Sequence, residues 1–170
     1  MALVLNTNSY VIIADADTYF ETRIDNANWF DATDDIKEQA LVTATNIVDN
    51  NSWIGSAVSS SQALAWPRKN ATYHDPRMGF SITPSETEIP AMVKTAVYEQ
   101  ALHLVNNEDL LTGQAQTFES ISVGSISISD TNGDVTRTPI KNPLVLKAIK
   151  PLVLRGGGSS GQGGSWWRAN

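Results

Sequence analysis

The sequence predicts a mainly α protein: a small helical bundle with an inserted β-hairpin and an extended C-terminal tail. Three observations predict it. Apolar residues recur at i, i+3, i+4 and i+7 over two long stretches, 34–49 and 89–105. After Gly113 the period shortens to alternate residues, with Ile121 and Val123 set between serines. Beyond Arg155 the chain runs into GGGSSGQGGS, the composition of a flexible linker. The divisions expected are a bundle over 1–114, a hairpin over 115–140, a C-terminal helix over 141–155 and a tail over 156–170.

The elements follow in order. Residues 14–24 read as a short helix, with Tyr19, Phe20 and Ile24 packing and Asp15 and Asp17 in its first turn. Trp29 and Phe30 fall in a connecting turn. A second helix runs from Asp34 to Asp49, with capping-box spacing between Asp35 and Glu38. Its stripe is Ile36, Ala40, Leu41, Ala44, Ile47 and Val48, and Lys37 is its only base. Trp53-Ile54-Gly55 reads as a turn. Gln62 to Trp66 reads as a short helix stopped by Pro67. Arg68 to Glu88 reads as a long loop with Tyr73 and Phe80 as anchors.

The longest periodic segment is IPAMVKTAVYEQALHLV, residues 89–105. Pro90 suits a first helical turn, where a missing N–H costs nothing. Ser85, Thr87 and Glu88 offer capping oxygens and a favourable charge. In the alternating region the register slips at Gly124-Ser125, as at a bulge or sharp bend. Asn132-Gly133 is the strongest turn pair, with Val135–Thr138 as the return strand. A lone hairpin is marginal in water, so its apolar face needs the helices or a neighbour. Asn142 and Pro143 open a last helix carrying Leu144, Val145, Ile149, Leu152 and Val153, which Pro151 kinks or ends.

Composition narrows the function. The chain has 170 residues, no cysteine and a formal net charge of −6. Disulfides and thiolate chemistry are excluded. The N-terminal MALVLNTNSYVII lacks a basic leader, so no signal peptide is expected. No apolar run has membrane-spanning length, so no membrane is expected as a partner. Residues 1–114 hold 15 acids and 6 bases, whereas 115–170 hold 3 acids and 6 bases. Between Arg137 and Arg155 there are five bases and no acid. That segment is either a solvated helix face or a basic element that docks on an acidic partner or a second copy. An acidic body argues against tight nonspecific duplex binding, which needs many phosphate contacts from Lys and Arg.

Catalytic chemistry is sparse. His74 and His103 have no metal-ligand spacing, and His74 reads as a solvated loop residue. Asp34-Asp35 and Glu108-Asp109 read as helix-end charges. No nucleophile elbow, phosphate loop or dinucleotide turn occurs. An enzyme is not expected, and no catalytic residue, metal site or cofactor is assigned. The end of the chain, Trp166-Trp167-Arg168, combines hot-spot residue types behind a linker. Exposed tryptophan is costly to leave in water, so a docking peptide is expected here; a disordered end or a cloning remnant are the alternatives, though a remnant more often carries a purification tag, and none is present.

Three stretches resemble a known family. They are Tyr10-Val11 leading into Ala14-Asp15-Ala16-Asp17-Thr18-Tyr19-Phe20, then Lys37-Glu38-Gln39-Ala40-Leu41 with Ala44-Thr45, then Gln62-Ala63-Leu64-Ala65-Trp66-Pro67-Arg68 followed by Ile89-Pro90, Val93, Ala96 and Glu99-Gln100-Ala101. Together they resemble the head–tail connector (adaptor) proteins of tailed bacteriophages, often labelled DnaT-like. The resemblance spans about residues 10–105. Trp66, Pro67, Arg68, Ile89 and Pro90 carry its most specific part. Ile13 departs from it, standing where the family usually has a Ser or Thr cap.

The resemblance implies a protomer made in the host cytoplasm and built into the virion at the head–tail interface. It implies a twelve-fold homo-oligomeric ring under the portal protein, which extends the DNA channel and seats the next tail or stopper protein. DNA would pass without specific binding, since an acidic wall repels it. The family's C-terminal helix and tail commonly reach the portal, which here falls on Lys147, Lys150, Arg155, Trp166, Trp167 and Arg168. Two alternatives stand beside this one. The first is a single-stranded DNA-binding protein whose tryptophans stack bases. The second is a tail-completion or stopper protein.

Overall fold

The computed structural model describes residues 2–75, 77–106, 120–123, 126–129, 140 and 142–154. Its elements in order are α1 (Ile13–Phe20), α2 (Ala27–Asp31), α3 (Asp34–Asp49), β1 (Ser56–Ala57), β2 (Arg68–Lys69), β3 (Tyr73–Asp75), β4 (Phe80–Ile82), α4 (Ala91–Asn106), β5 (Ser120–Val123), β6 (Ile126–Ser129) and α5 (Pro143–Ile149). The protein is mainly α. Among the described residues the strands form three separate antiparallel pairs, β1–β2, β3–β4 and β5–β6. α4 packs against both α3 and α5 and so forms the axis of the bundle.

α1 starts one residue earlier than expected, with Ile12 as an N-cap that makes no side-chain bond. It ends at Phe20 rather than Ile24. The Asn26 side chain donates to the Phe20 carbonyl at 2.9 Å and turns the chain away. Ile24, expected to pack, is therefore fully exposed. Trp29 and Phe30 are helical, not a turn, and Trp29 is fully buried. One carboxylate ties the first three helices together. Asp17 Oδ1 accepts from Trp29 Nε1 at 2.7 Å and from Lys37 Nζ at 3.2 Å. Lys37 is buried, and its ammonium lies 5.6 Å from the Trp29 ring centroid. Opposite charge and the ring face together offset its desolvation.

α3 has the expected bounds and buries Ala40, Leu41, Ala44 and Val48. The capping box does not form. Thr33 is the N-cap without a side-chain bond, and the Glu38 carboxylate accepts from Leu3 N instead. Ile36 is exposed, because the first turn of α3 projects past the core.

Residues 62–66 form bends, not a helix. Two side chains capture the backbone N–H groups there. Asp49 takes that of Ala65 on both carboxylate oxygens at 3.0 Å, and Tyr10 Oη takes that of Trp66 at 3.0 Å. The Trp66–Pro67 bond is cis. The stretch 68–88, expected to be a loop, contains β2, β3 and β4. Tyr73 is half-buried against the core, while Phe80, the other expected anchor, is exposed. Gly55 takes φ +70°, and a Cβ there would lie 2.5 Å from the Lys69 carbonyl, so only glycine fits this turn.

α4 begins after Pro90 and buries Val93, Ala96, Val97, Tyr98, Glu99, Gln100, Ala101 and Leu102. It is covered well beyond one stripe because α2, α3 and α5 all pack on it. Ser85 and Thr87 do not cap it; their hydroxyls bond each other at 3.0 Å. In the alternating region the two serine-spaced runs pair with each other, in register Ile121↔Ile128 and Val123↔Ile126. The position of the slip itself, Gly124-Ser125, lies outside the described residues. The Asn132-Gly133 turn and the 135–138 strand lie outside the described residues.

α5 starts as expected, with Pro143 in its first turn and Asn142 Oδ1 accepting from Leu144 N at 2.9 Å. It stops at Ile149, before Pro151. Val145, Ile149 and Leu152 are buried in the core, each worth roughly 1.5–3 kcal/mol. Leu144, expected in that stripe, faces outward at 48% exposure.

Candidate protein-docking groove

The first turns of α4, the β3–β4 hairpin and α5 leave a groove of about 520 Å³ between them. Each wall has a local cause. The hairpin stands Tyr73 on one side. Pro90 starts α4 so that Met92 and Thr95 form the floor. Asn142 orients α5 through its cap and also donates Nδ2 to the Glu99 carbonyl at 3.2 Å, which brings Leu144 and Lys147 to the other side. The volume lies in the range of sites that take a small ligand or an inserted side chain.

Charges at the groove are mostly paired. Arg77 Nη2 lies 2.8 Å from Asp75 Oδ2, and the arginine side chain is 82% exposed. That hydrogen bond holds the Asp75 carboxyl down at about 2. Glu99 is buried; it accepts from Tyr19 Oη at 2.5 Å and pairs with Arg23. Lys147 is exposed on the rim, and the described residues show no ion pair to it. Burial, then the bond to Glu99, pushes the Tyr19 phenol up to about 12. Burial, then the Asp15 charge, pushes Tyr98 up to about 12, and its ring stacks 4.8 Å from that of Tyr19.

These phenols set an alkaline limit. Their folded pKa values exceed the ordinary value of about 10, so the fold binds their protons more tightly than the unfolded chain does. Their contribution is complete below pH 10 and falls away as pH rises towards 12. Denaturant unfolding should show stability falling over that window, with a smaller fall in Tyr19→Phe. A flat profile would show that these phenols are not shielded.

The other residues singled out in the sequence fall in different places. Trp66, Pro67 and Arg68 are structural. Trp66 is buried, with its ring edge-on to Trp53 at 5.7 Å. Arg68 donates to the carbonyls of Ile54 at 2.8 Å, Gly55 at 2.9 Å and Ala65 at 3.2 Å, which closes the loop on itself. Pro90 is buried and Ile89 half-buried at the entry to α4. Lys150 is exposed at the end of α5. Arg155, Trp166, Trp167 and Arg168 lie outside the described residues. The sequence reading missed Tyr19, Met92, Thr95, Arg77 and Glu99 as neighbours of Lys147. Besides Lys147 itself, Tyr73 carried a signal, as one of two aromatic anchors expected in the 68–88 stretch.

Among the described residues no group of His, Asp and Glu could hold a metal ion. No described helix is long and apolar enough to cross a membrane. His74 is exposed on β3. Chemically, the groove offers an apolar floor, aromatic edges and a basic rim, which suits insertion of a partner's side chains.

A family model described as "Putative DnaT-like ssDNA binding protein" matches residues 2–168. Neither the curated proteins nor the solved structures include a match to the chain.

Proposed function

The chain belongs to the family described as "Putative DnaT-like ssDNA binding protein", and within it we propose a structural role: a head–tail connector of a tailed-phage virion, forming a ring beneath the portal and joining capsid to tail. One observation carries this reading. α5 is anchored in the core on one side and presents leucines and lysines on the other, on a body that is otherwise acidic. Such a face fits docking to another protein rather than catalysis. The resemblance of residues 10–105 to connector proteins supports the same role.

Single-stranded DNA binding is the second reading, and it is the one that the family's description names. The family match supports it directly and says nothing of a connector. On the molecule it has one favourable feature: the β3–β4 hairpin exposes Phe80 and His74 beside Arg77. Against it, Trp29, Trp53 and Trp66 are at most 4% exposed, so no tryptophan of the body can stack a base. Arg77 is also already paired with Asp75.

Mass photometry of the full chain, alone and mixed with a phage portal, separates the two. The connector reading expects ring-sized species or a shift of the portal. Deletion of residues 156–170 should weaken the portal shift and leave the fold intact. Fluorescence anisotropy with a single-stranded oligonucleotide over a salt series is the counter-test. Tight, salt-dependent binding that Arg77→Ala weakens, together with no assembly, would overturn the connector and establish the strand binder.

A further inference from the structure

We infer that the outward face of α5 is one half of a head-to-tail contact with a second copy of this chain, the other half being the acidic patch where α2 meets α3. This rests on the ring reading above.

The α5 half has a definite composition. Val145, Ile149 and Leu152 point into the core. The opposite arc carries, in order around the helix, Leu146, Lys150, Lys147 and Leu144. Both leucines are exposed, at 40% and 48%, and both lysines are exposed. No acid occurs between Asn142 and Leu154, so nothing on this element neutralises the lysines.

The other half is its complement. Phe30 and Ile36 are exposed at 42% and 48%, among Asp31, Asp34 and Asp35, which are exposed too. Lys37 is the single base on α2 and α3, and it is turned inward and paired with Asp17. The patch therefore presents apolar surface whose exposed charges on α2 and the first turn of α3 are all acidic, the one cation on these helices being the buried Lys37, whose ammonium lies 5.4 Å from the Phe30 ring centroid. An apolar centre with opposite-sign rims is the pattern that gives an interface both burial and register.

Within one chain the two halves do not meet. α3 and α5 each pack on α4, and neither α2 nor α3 makes more than a marginal contact with α5. A face that fits a different face of the same molecule forms a heterologous contact, which closes into a ring where the rotation between copies closes and runs on as a filament where it does not. A symmetric dimer through either face alone is disfavoured, because it would set lysine against lysine or acid against acid.

The test is sedimentation velocity of the full chain over protein concentration and salt, with circular dichroism to verify folding. Lys147→Glu with Lys150→Glu should weaken self-association by about ten-fold or more, as should Asp34→Lys with Asp35→Lys. All four changes in one chain should restore it, because the charges are then complementary again with signs exchanged. Added salt should weaken the wild-type contact, since the screening length is only about 8 Å at physiological ionic strength. If the wild type assembles and the charge variants match it, the inference fails and the ring reading stands. If each pair of changes disrupts assembly and the four together do not restore it, the acidic patch is not the partner and the inference fails. If the wild type stays monomeric at every concentration, and on a portal too, the ring reading fails and the inference falls with it.

Discussion

Trp29→Ala is expected to remove about 3–5 kcal/mol of stability, the largest loss from any single truncation proposed for this protein. The residue is fully buried in α2. Its ring lies 4.7 Å from that of Phe20, and its Nε1 donates to Asp17 at 2.7 Å. Alanine would open a cavity between α1 and α4, leave Asp17 with Lys37 alone, and strip the ring from beside the buried ammonium. Domains of this size are stable by about 5–15 kcal/mol, so a large share would be lost. Trp29→Phe separates the terms. It keeps most of the ring and loses the N–H, and should cost roughly 1–2 kcal/mol. Urea unfolding measures both. A loss under 1 kcal/mol for alanine would mean that α2 can close over the gap, contrary to the packing described.

Asp49→Ala is expected to cost about 2–4 kcal/mol, from two donors stripped of their acceptor at roughly 1–3 kcal/mol each, discounted because Asp49 is itself half-buried. The two donors are the Ala65 N–H and the Tyr10 hydroxyl. Burial first, and the Asp49 carboxylate second, raise the Tyr10 phenol well above its ordinary range, so it stays a neutral donor across the accessible pH range. Because Tyr10 in turn holds the Trp66 N–H, the loss spreads to the whole Trp66-Pro67-Arg68 segment. Asp49→Asn keeps one acceptor oxygen and should lose less than half as much. Thermal unfolding and hydrogen exchange at Ala65 and Trp66 would read the effect. Unchanged protection in Asp49→Ala would show that the segment is held by Arg68, Tyr10 and Gln62 without Asp49.

Legibility followed the range of the forces involved. The bounds of α3 and the start of α5 were readable because their causes are local. Apolar residues at helical spacing fix α3, and Asn142 with Pro143 fixes the first turn of α5. Where the deciding group lies far along the chain, the reading failed. The 62–66 stretch has helical composition, and Pro67 alone already discourages a helix just before it. What sets its path is Asp49 and Tyr10, 16 and 56 residues away, taking the N–H groups that a helix would need. The β3–β4 hairpin was missed because its strands are three residues each, too short for alternation to register. Of the groove, Lys147 was legible as an unopposed charge. Glu99 was not, because a carboxylate on a helix reads as solvent-facing until Tyr19 and Arg23 are brought to it.

A mainly α fold, the lack of cysteine and of a phosphate-loop motif, and a charge divided between an acidic body and a basic C-terminal segment all follow from the sequence alone. Those properties depend on composition and on spacing within one helix turn or one strand. The tertiary structure decided which residues are left outside. Periodicity marks an apolar face but not how far the neighbouring elements cover it. α4 is covered beyond its stripe, while Ile24, Ile36 and Leu144 lie past the edge of the core and remain exposed. The groove and the two charged faces exist because three helices pack around α4 and stop where they do.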